Sequence, residues 1–135
     1  MTHYCLQCDD GTELIFKNQE VTVTYHGKSA VVSAVEGWHC PVCGECEFVN
    51  EADSRRHMDT LNCLVATVKA EEREFIRNVR KKLGLKQAEA GKLFGGGVNA
   101  FSEYERGVTQ PHKSTVALLR LLDLHPELLN EVRSM

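Results

Sequence analysis

Four cysteines stand in two pairs of the C-x2-C type in the first third of the chain. Cys5 and Cys8 form one pair, Cys40 and Cys43 the other, and 31 residues separate them. Thiolates at this spacing can supply all four ligands of a tetrahedral zinc ion. A four-thiolate shell leaves no position for an activating water, so the pattern predicts structural zinc. The sequence contains no HExxH or comparable catalytic motif, which favours a protein that is not an enzyme.

Other residues near the pairs leave alternatives open. Cys46 follows Cys43 in a third C-x2-C pattern and could shift the ligand register by three residues, but Gly44 favours a tight knuckle around Cys40 and Cys43. Cys63 lies in a helical pattern, where a lone Cys is more often a small core residue than a ligand. A redox role for Cys46 and Cys63 is the alternative, and it would need a lowered thiol pKa. Three histidines near the pairs are interpreted as surface residues: His3, His26 and His39.

The second pattern, at 87–111, is typical of a helix-turn-helix. A short helix with small and apolar residues on one face is followed by three glycines at 95–97, which adopt the backbone conformations of a sharp reversal. Val98, Phe101 and Tyr104 then recur at spacing three, and we expect them to hold the second helix against a core.

This orientation directs Asn99 outward in the first turn, where recognition helices meet base edges. The Asn amide matches the N6 and N7 groups of adenine. In the alternative interpretation, Asn99 caps the helix and Arg106 is a solvated charge. The residues predicted on or near the outward surface are Asn99, Ala100, Ser102, Glu103 and Arg106. Further side chains could neutralise phosphates or form a solvated face: Arg77, Arg80, Lys81, Lys82, Lys86 and Lys92.

The elements that must position these residues differ between the two parts of the chain. Apolar residues at 14–16, 21–25 and 30–35 predict strands of a small antiparallel sheet, with a reversal at 26–28. Such a sheet buries too little surface to be stable alone, so zinc would supply much of its folding free energy.

Helical patterns follow from residue 50 onward. A helix after Asn50 leads into a short connection near 68–73, which would let the two parts reorient, and further helices run from 75, through 114–124, and from Pro126. The prediction is an α+β chain: a small zinc-bound antiparallel β domain with a helix at 1–70, followed by an all-α, five-helix helix-turn-helix domain at 71–135.

Charge is distributed unevenly between these predicted domains. Residues 1–70 hold five Lys and Arg against ten Asp and Glu, whereas residues 71–135 hold eleven against nine. A nucleic-acid surface is therefore expected in the second domain, and the acidic first domain suits a basic partner. No apolar stretch approaches about 18 residues, so no membrane span is predicted. We expect a cytoplasmic protein, where reduced thiols favour zinc over disulfides.

The helix-turn-helix segment resembles the Xre/Cro family, in which a Gln opening the domain's second helix contacts a phosphate, and Gln87 holds that position. With the cysteine pairs, the strands, LFGGGVNAFSEYERG and the ending LLRLLDLHPELLNEV, nearly the whole chain resembles the MqsA antitoxin family, in which a YgiT-type zinc domain precedes an Xre-type domain. The resemblance implies zinc on Cys5, Cys8, Cys40 and Cys43, and base reading by Asn99.

The same resemblance implies an antitoxin of a type II toxin-antitoxin system. It would bind an MqsR-like messenger-RNA interferase through the zinc domain and, as a homodimer, repress its own operon by binding palindromic double-stranded DNA. Family members can carry a basic base-contacting residue where this chain has Glu103. The alternative function is a zinc-containing transcriptional regulator without a toxin, which senses metal or redox state.

Overall fold

A computed structural model of the chain describes residues 2–135. Within them the backbone forms a three-stranded antiparallel sheet and five α-helices. The predicted combination of a small antiparallel sheet with helices is confirmed. The chain divides into two compact units, Met1–Thr67 (unit 1) and Val68–Met135 (unit 2). No helix among the described residues is long and apolar enough to cross a membrane.

The sheet of unit 1 has the strand order β1 (Ile15–Tyr25), β2 (Lys28–His39) and β3 (Cys46–Phe48). The strands predicted at 14–16 and 21–25 fall in one strand, β1, which begins at Ile15 and not at Leu14, and β3 was not predicted. Ala34 has a φ of +53° where the β1–β2 register shifts, which marks a bulge.

One face of this sheet is covered by α1 (Glu51–Lys82). Asn50 caps α1, because its Oδ1 accepts the Asp53 amide at 2.8 Å, while the Asp53 carboxylate accepts the Glu36 amide of β2 at 3.0 Å. Leu61 and Leu64 pack on a buried cluster of one cysteine and four valines: Val21, Val23, Val32, Val35 and Cys46. The predicted connection at 68–73 is helical, since no glycine or proline interrupts α1 there.

Unit 2 contains the end of α1 and four shorter helices: α2 (Gln87–Phe94), α3 (Ala100–Arg106), α4 (Lys113–Leu124) and α5 (Leu129–Arg133). A 3-10 turn at Pro126–Leu128 precedes α5. The largest fully buried side chains of this unit belong to α1, α3 and α4: Ile76, Phe101, Leu119 and Leu122. α3 is therefore held against the core by its apolar face, which leaves its other face available for contacts.

Candidate metal centre and nucleic-acid surface

The four paired cysteines come together in unit 1. Their Sγ atoms all lie within 4.8 Å of one another, with Cys5 and Cys43 at 3.5 Å and Cys8 and Cys40 at 3.7 Å. A tetrahedral zinc ion with Zn–S bonds of about 2.3 Å would place its sulfurs about 3.8 Å apart. The donor set and its geometry therefore fit zinc without rearrangement of the backbone.

Backbone amides prepare the second knuckle for negative charge. The amides of Val42 and Cys43 both donate to the Cys40 sulfur at 3.4 Å, and the amide of Cys8 donates to Cys5 at the same distance. The pKa of the Cys40 thiol is lowered to about 6, and the hydrogen bond from the Cys43 amide is the largest cause. Burial and the nearby thiols raise the pKa of Cys8. A bound dication would oppose that rise, because its charge stabilises thiolates.

The other cysteines lie outside this cluster. Cys46 is buried in β3, and its Sγ lies 3.8 Å from His39 Nε2, so the alternative ligand register is not the one that the structure assembles. Cys63 is exposed on α1, so its interpretation as a core residue is wrong. His39 is fully buried and its Nε2 lies 2.9 Å from the Val35 carbonyl oxygen, so its interpretation as a surface residue is also wrong.

The turn between α2 and α3 is built on glycine. Residues Gly95, Gly96 and Gly97 have φ values of +98°, +93° and +89°, which residues with a Cβ rarely adopt. Gly91 of α2 permits a further close approach, since a Cβ there would lie 1.9 Å from the Gly97 carbonyl oxygen. The close packing of the turn against α2 therefore requires glycine at position 91 of the helix as well as glycines in the turn.

α3 begins at Ala100, two residues later than the spacing of apolar residues predicted. Phe101 and Tyr104 are buried as predicted, but Ala100 is only 6% exposed and Val98 is 47% exposed. The prediction was therefore wrong for Ala100, which points inward, and for Val98, which precedes the helix. The inward stripe is formed by positions i, i+1 and i+4 of a helix whose first residue is Ala100.

Four of the predicted DNA contacts share one face of this segment. Asn99, Ser102, Glu103 and Arg106 follow the spacing i, i+3, i+4 and i+7, which aligns side chains along a helix. Asn99 is exposed and its side chain makes no capping hydrogen bond, so the capping interpretation is not supported. Arg106 Nε donates hydrogen bonds to the backbone carbonyl oxygen and to the hydroxyl oxygen of Ser102, each at 3.2 Å.

Two of the predicted DNA contacts, Gln87 and Lys92, lie on α2, and one on α3, Glu103, has a hydrogen-bond partner within the chain. Gln87 opens α2 half-buried, and Lys92 is exposed near its end. Glu103 is half-buried, and its carboxylate accepts a long 3.5 Å bond from Thr109.

Arg80 is an internal residue rather than a phosphate ligand. Its Nε and Nη2 donate to the two Glu105 oxygens at 2.9 Å, and its Nη1 donates to the Leu85 carbonyl at 2.9 Å. Both side chains are largely buried. Lys82 is paired with Asp123 at 3.2 Å. The pairing of Glu105 with Arg80 was not predicted, because the two residues lie 25 positions apart, a separation that carries no periodic signal.

Comparison with known proteins places these features in one family. The chain matches, over residues 3–133, the family model described as the antitoxin component of bacterial toxin-antitoxin systems, MqsA. It is also 46% identical over 131 residues to Antitoxin MqsA of Escherichia coli (strain K12), covering 96% of this chain and 98% of that protein. The chain therefore belongs to the MqsA family of antitoxins.

Proposed function

We propose that this antitoxin acts through two separable surfaces. Unit 1, held together by structural zinc on Cys5, Cys8, Cys40 and Cys43, binds an MqsR-like messenger-RNA interferase. Unit 2 represses the antitoxin's own operon as a homodimer on palindromic DNA. The observation that carries the second half is the exposed α3 face, backed by buried Phe101 and Tyr104.

Residues of the α3 face contact both base edges and phosphates of the DNA in this proposal. Asn99 stands at the start of α3, where a helix inserted into the major groove meets base edges, and its uncapped amide can pair with adenine. Arg106 and Ser102 lie farther along the same face, where we assign them to the DNA backbone with Gln87 and Lys92 of α2. With Arg80 and Lys82 paired internally, the exposed cations left from the predicted set are Arg77, Lys81, Lys86 and Lys92.

A dimer would cover exposed leucines of unit 2. Leu121 and Leu124 lie three residues apart on α4 and are exposed, and Leu128 in the 3-10 turn that follows is exposed as well. A second copy of the chain packed on these leucines would bury them and pair the two α3 helices. Two such helices read half-sites about 34 Å apart, which is why we expect a palindromic operator.

The Asn99→Ala variant tests the DNA-reading role. Loss of a bidentate adenine contact costs about 1–3 kcal/mol, so we expect each half-site to weaken about 5- to 150-fold. The measurement is the affinity for DNA from upstream of the chain's own gene, with salt held fixed, because phosphate contacts depend on salt.

Asn130→Ala is the matched control, because Asn130 is an exposed asparagine of α5. Equal loss in both variants would indicate a general effect on folding or dimerisation. Unchanged binding by Asn99→Ala, with the wild-type chain binding specifically, would assign base reading to other residues.

The Glu103→Arg variant tests whether this acidic residue faces the groove. A carboxylate repels phosphate and cannot donate to guanine, although it can accept from cytosine N4. We therefore expect tighter DNA binding at low salt and a shifted base preference. Glu74→Arg, the same change at an exposed position of α1, corrects for net charge. If the two variants bind alike and base preference is unchanged, Glu103 lies away from the bases.

A further inference from the structure

A cleft of about 190 Å³ lies beside the C-terminal end of α3 in unit 2. One wall is a stripe of α1 at spacings i, i+3, i+4 and i+7, and the other is Tyr104 with the chain at 107–111, which leads from α3 towards α4. The residues of the α1 stripe are Lys69, Glu72, Arg73 and Ile76. We call this space the α1–α3 cleft. Among the residues that line it, none is a predicted DNA contact.

The cleft is lined by charges of both signs that have no partner. Arg73 and Glu72 are half-buried, yet neither makes a hydrogen bond or an ion pair with any residue that the structure describes. Lys69 is exposed and equally unpaired, so Glu72 is not neutralised by the cation three residues before it. A half-buried charge without a partner has lost part of its hydration and has gained nothing in exchange. A ligand group of opposite sign would therefore be stabilised beside each of them.

The backbone opposite Arg73 defines where its guanidinium lies. Gly107 has a φ of +78°, and a Cβ added to it would lie 2.7 Å from Arg73 Nη1. The guanidinium therefore lies against the chain that follows α3 and does not extend into solvent. Its planar set of N–H donors matches the two oxygens of a carboxylate.

Apolar side chains contribute to the same lining and limit the size of a ligand. Ile76 and Tyr104 are buried, Pro111 is half-buried and Val108 is exposed. A cavity of about 150 Å³ holds benzene, so the α1–α3 cleft takes a molecule that is only slightly larger. The ligand is therefore small, with an anionic group, a cationic group and an apolar part.

We propose that the α1–α3 cleft binds a free α-amino acid with an aliphatic side chain. The carboxylate of the ligand pairs with Arg73, its ammonium group pairs with Glu72, and its side chain packs on Ile76. An α-amino acid carries both charges on one carbon, which is what two unpaired side chains of neighbouring positions can reach together. The ligand would join α1 to the end of α3, the helix proposed to read DNA. Binding here goes beyond the proposed function, because it requires neither operator nor toxin.

L-leucine is the first probe, titrated into the full-length, zinc-loaded chain labelled with nitrogen-15. We expect saturable chemical-shift changes at the amides of residues 107–110, with a dissociation constant of about 0.1–1 mM for a ligand of this size. Two analogues keep the aliphatic chain: 4-methylpentanoate lacks the ammonium group, and 3-methylbutylamine lacks the carboxylate. Each should bind at least about 10-fold more weakly than leucine, because one charge-assisted contact is lost.

Two substitutions assign the charges to residues. In Arg73→Met, leucine should bind no better than 3-methylbutylamine, and in Glu72→Gln it should bind no better than 4-methylpentanoate. Each comparison is made within one variant, so a general loss of stability does not alter it. Arg77→Met and Glu74→Gln are matched controls, since both residues are exposed on α1 and outside the lining of the cleft. Both controls should bind leucine within about twofold of the wild-type chain.

Three outcomes would overturn the proposal. The first is the absence of a saturable shift with L-leucine. The second is 4-methylpentanoate binding to the wild-type chain as tightly as leucine, which would show a site for simple carboxylates without a role for Glu72. The third is a stronger shift of residues 107–110 with inorganic phosphate than with leucine, which would assign Arg73 and Lys69 to a phosphate group. None of these results bears on toxin binding or on base reading by Asn99, so the proposed function is tested separately.

Discussion

Replacement of Cys40 by serine is expected to abolish zinc binding and to unfold unit 1. Cys40 is the most buried of the four clustered cysteines, and its sulfur accepts hydrogen bonds from two backbone amides. Structural zinc in finger peptides binds with an apparent free energy of about 10–16 kcal/mol at neutral pH. At about 0.05–0.15 kcal/mol per residue, a folded unit the size of Met1–Thr67 has a free energy of unfolding of only about 3–10 kcal/mol, so unit 1 has no reserve to replace the metal.

Zinc per chain and Trp38 emission together measure this result. Trp38 packs against the cysteine cluster, so its emission reports on unit 1 alone. Chelation of the wild-type chain should have the same effect while sparing the helical signal of unit 2. Cys63→Ser is the control, because Cys63 is exposed and lies outside the cluster. A Cys40→Ser chain that retains zinc and native Trp38 emission would show that another set of ligands holds the ion.

Replacement of Glu105 by alanine is expected to destabilise unit 2 by about 3–5 kcal/mol, since it leaves the Arg80 guanidinium buried without a counter-ion. Chemical denaturation followed by far-ultraviolet circular dichroism measures the change in free energy of unfolding. Asp123→Ala breaks the more exposed Lys82–Asp123 pair and should cost less than about 1 kcal/mol.

A double variant separates the cost of an orphaned charge from the value of the pair. Arg80→Met/Glu105→Leu removes both charges and should recover most of the stability lost by Glu105→Ala, because an apolar pair needs no compensation for burial. If Glu105→Ala costs no more than Asp123→Ala, the pair is solvated in solution and does not anchor α3 to α1.

Residue spacing predicted the structure correctly where spacing alone determines the outcome. The two C-x2-C pairs predicted a four-sulfur cluster, which the structure contains. The three glycines at 95–97 predicted a sharp reversal of the chain, and all three have positive φ values. Spacing failed where phase or distant contacts decide. The bulge at Ala34 lies within a continuous hairpin, and β3 has only three residues, too few for an alternating pattern.

The errors in the helical part have a similar cause. The charged stretch at 68–73 suggested a connection, yet charge alone does not end a helix in the absence of glycine or proline. The apolar positions of α3 were assigned from Val98, so the inward orientation of Ala100 was missed. Arg80 looked like one of several surface cations, because only the folded chain brings Glu105 to it.

The close approach of Gly91 to Gly97 has a consequence for the proposed binding of DNA by α3. Three consecutive glycines ordinarily behave as a flexible linker with high conformational entropy. Here the Gly97 carbonyl oxygen is seated where only a glycine at position 91 leaves room, and it also accepts the Ala100 amide at 3.2 Å. The turn between α2 and α3 is therefore held in one conformation, although it consists of three glycines. If α3 binds DNA as proposed, it is ordered before it meets the DNA, so little of the binding free energy is lost to fixing the turn.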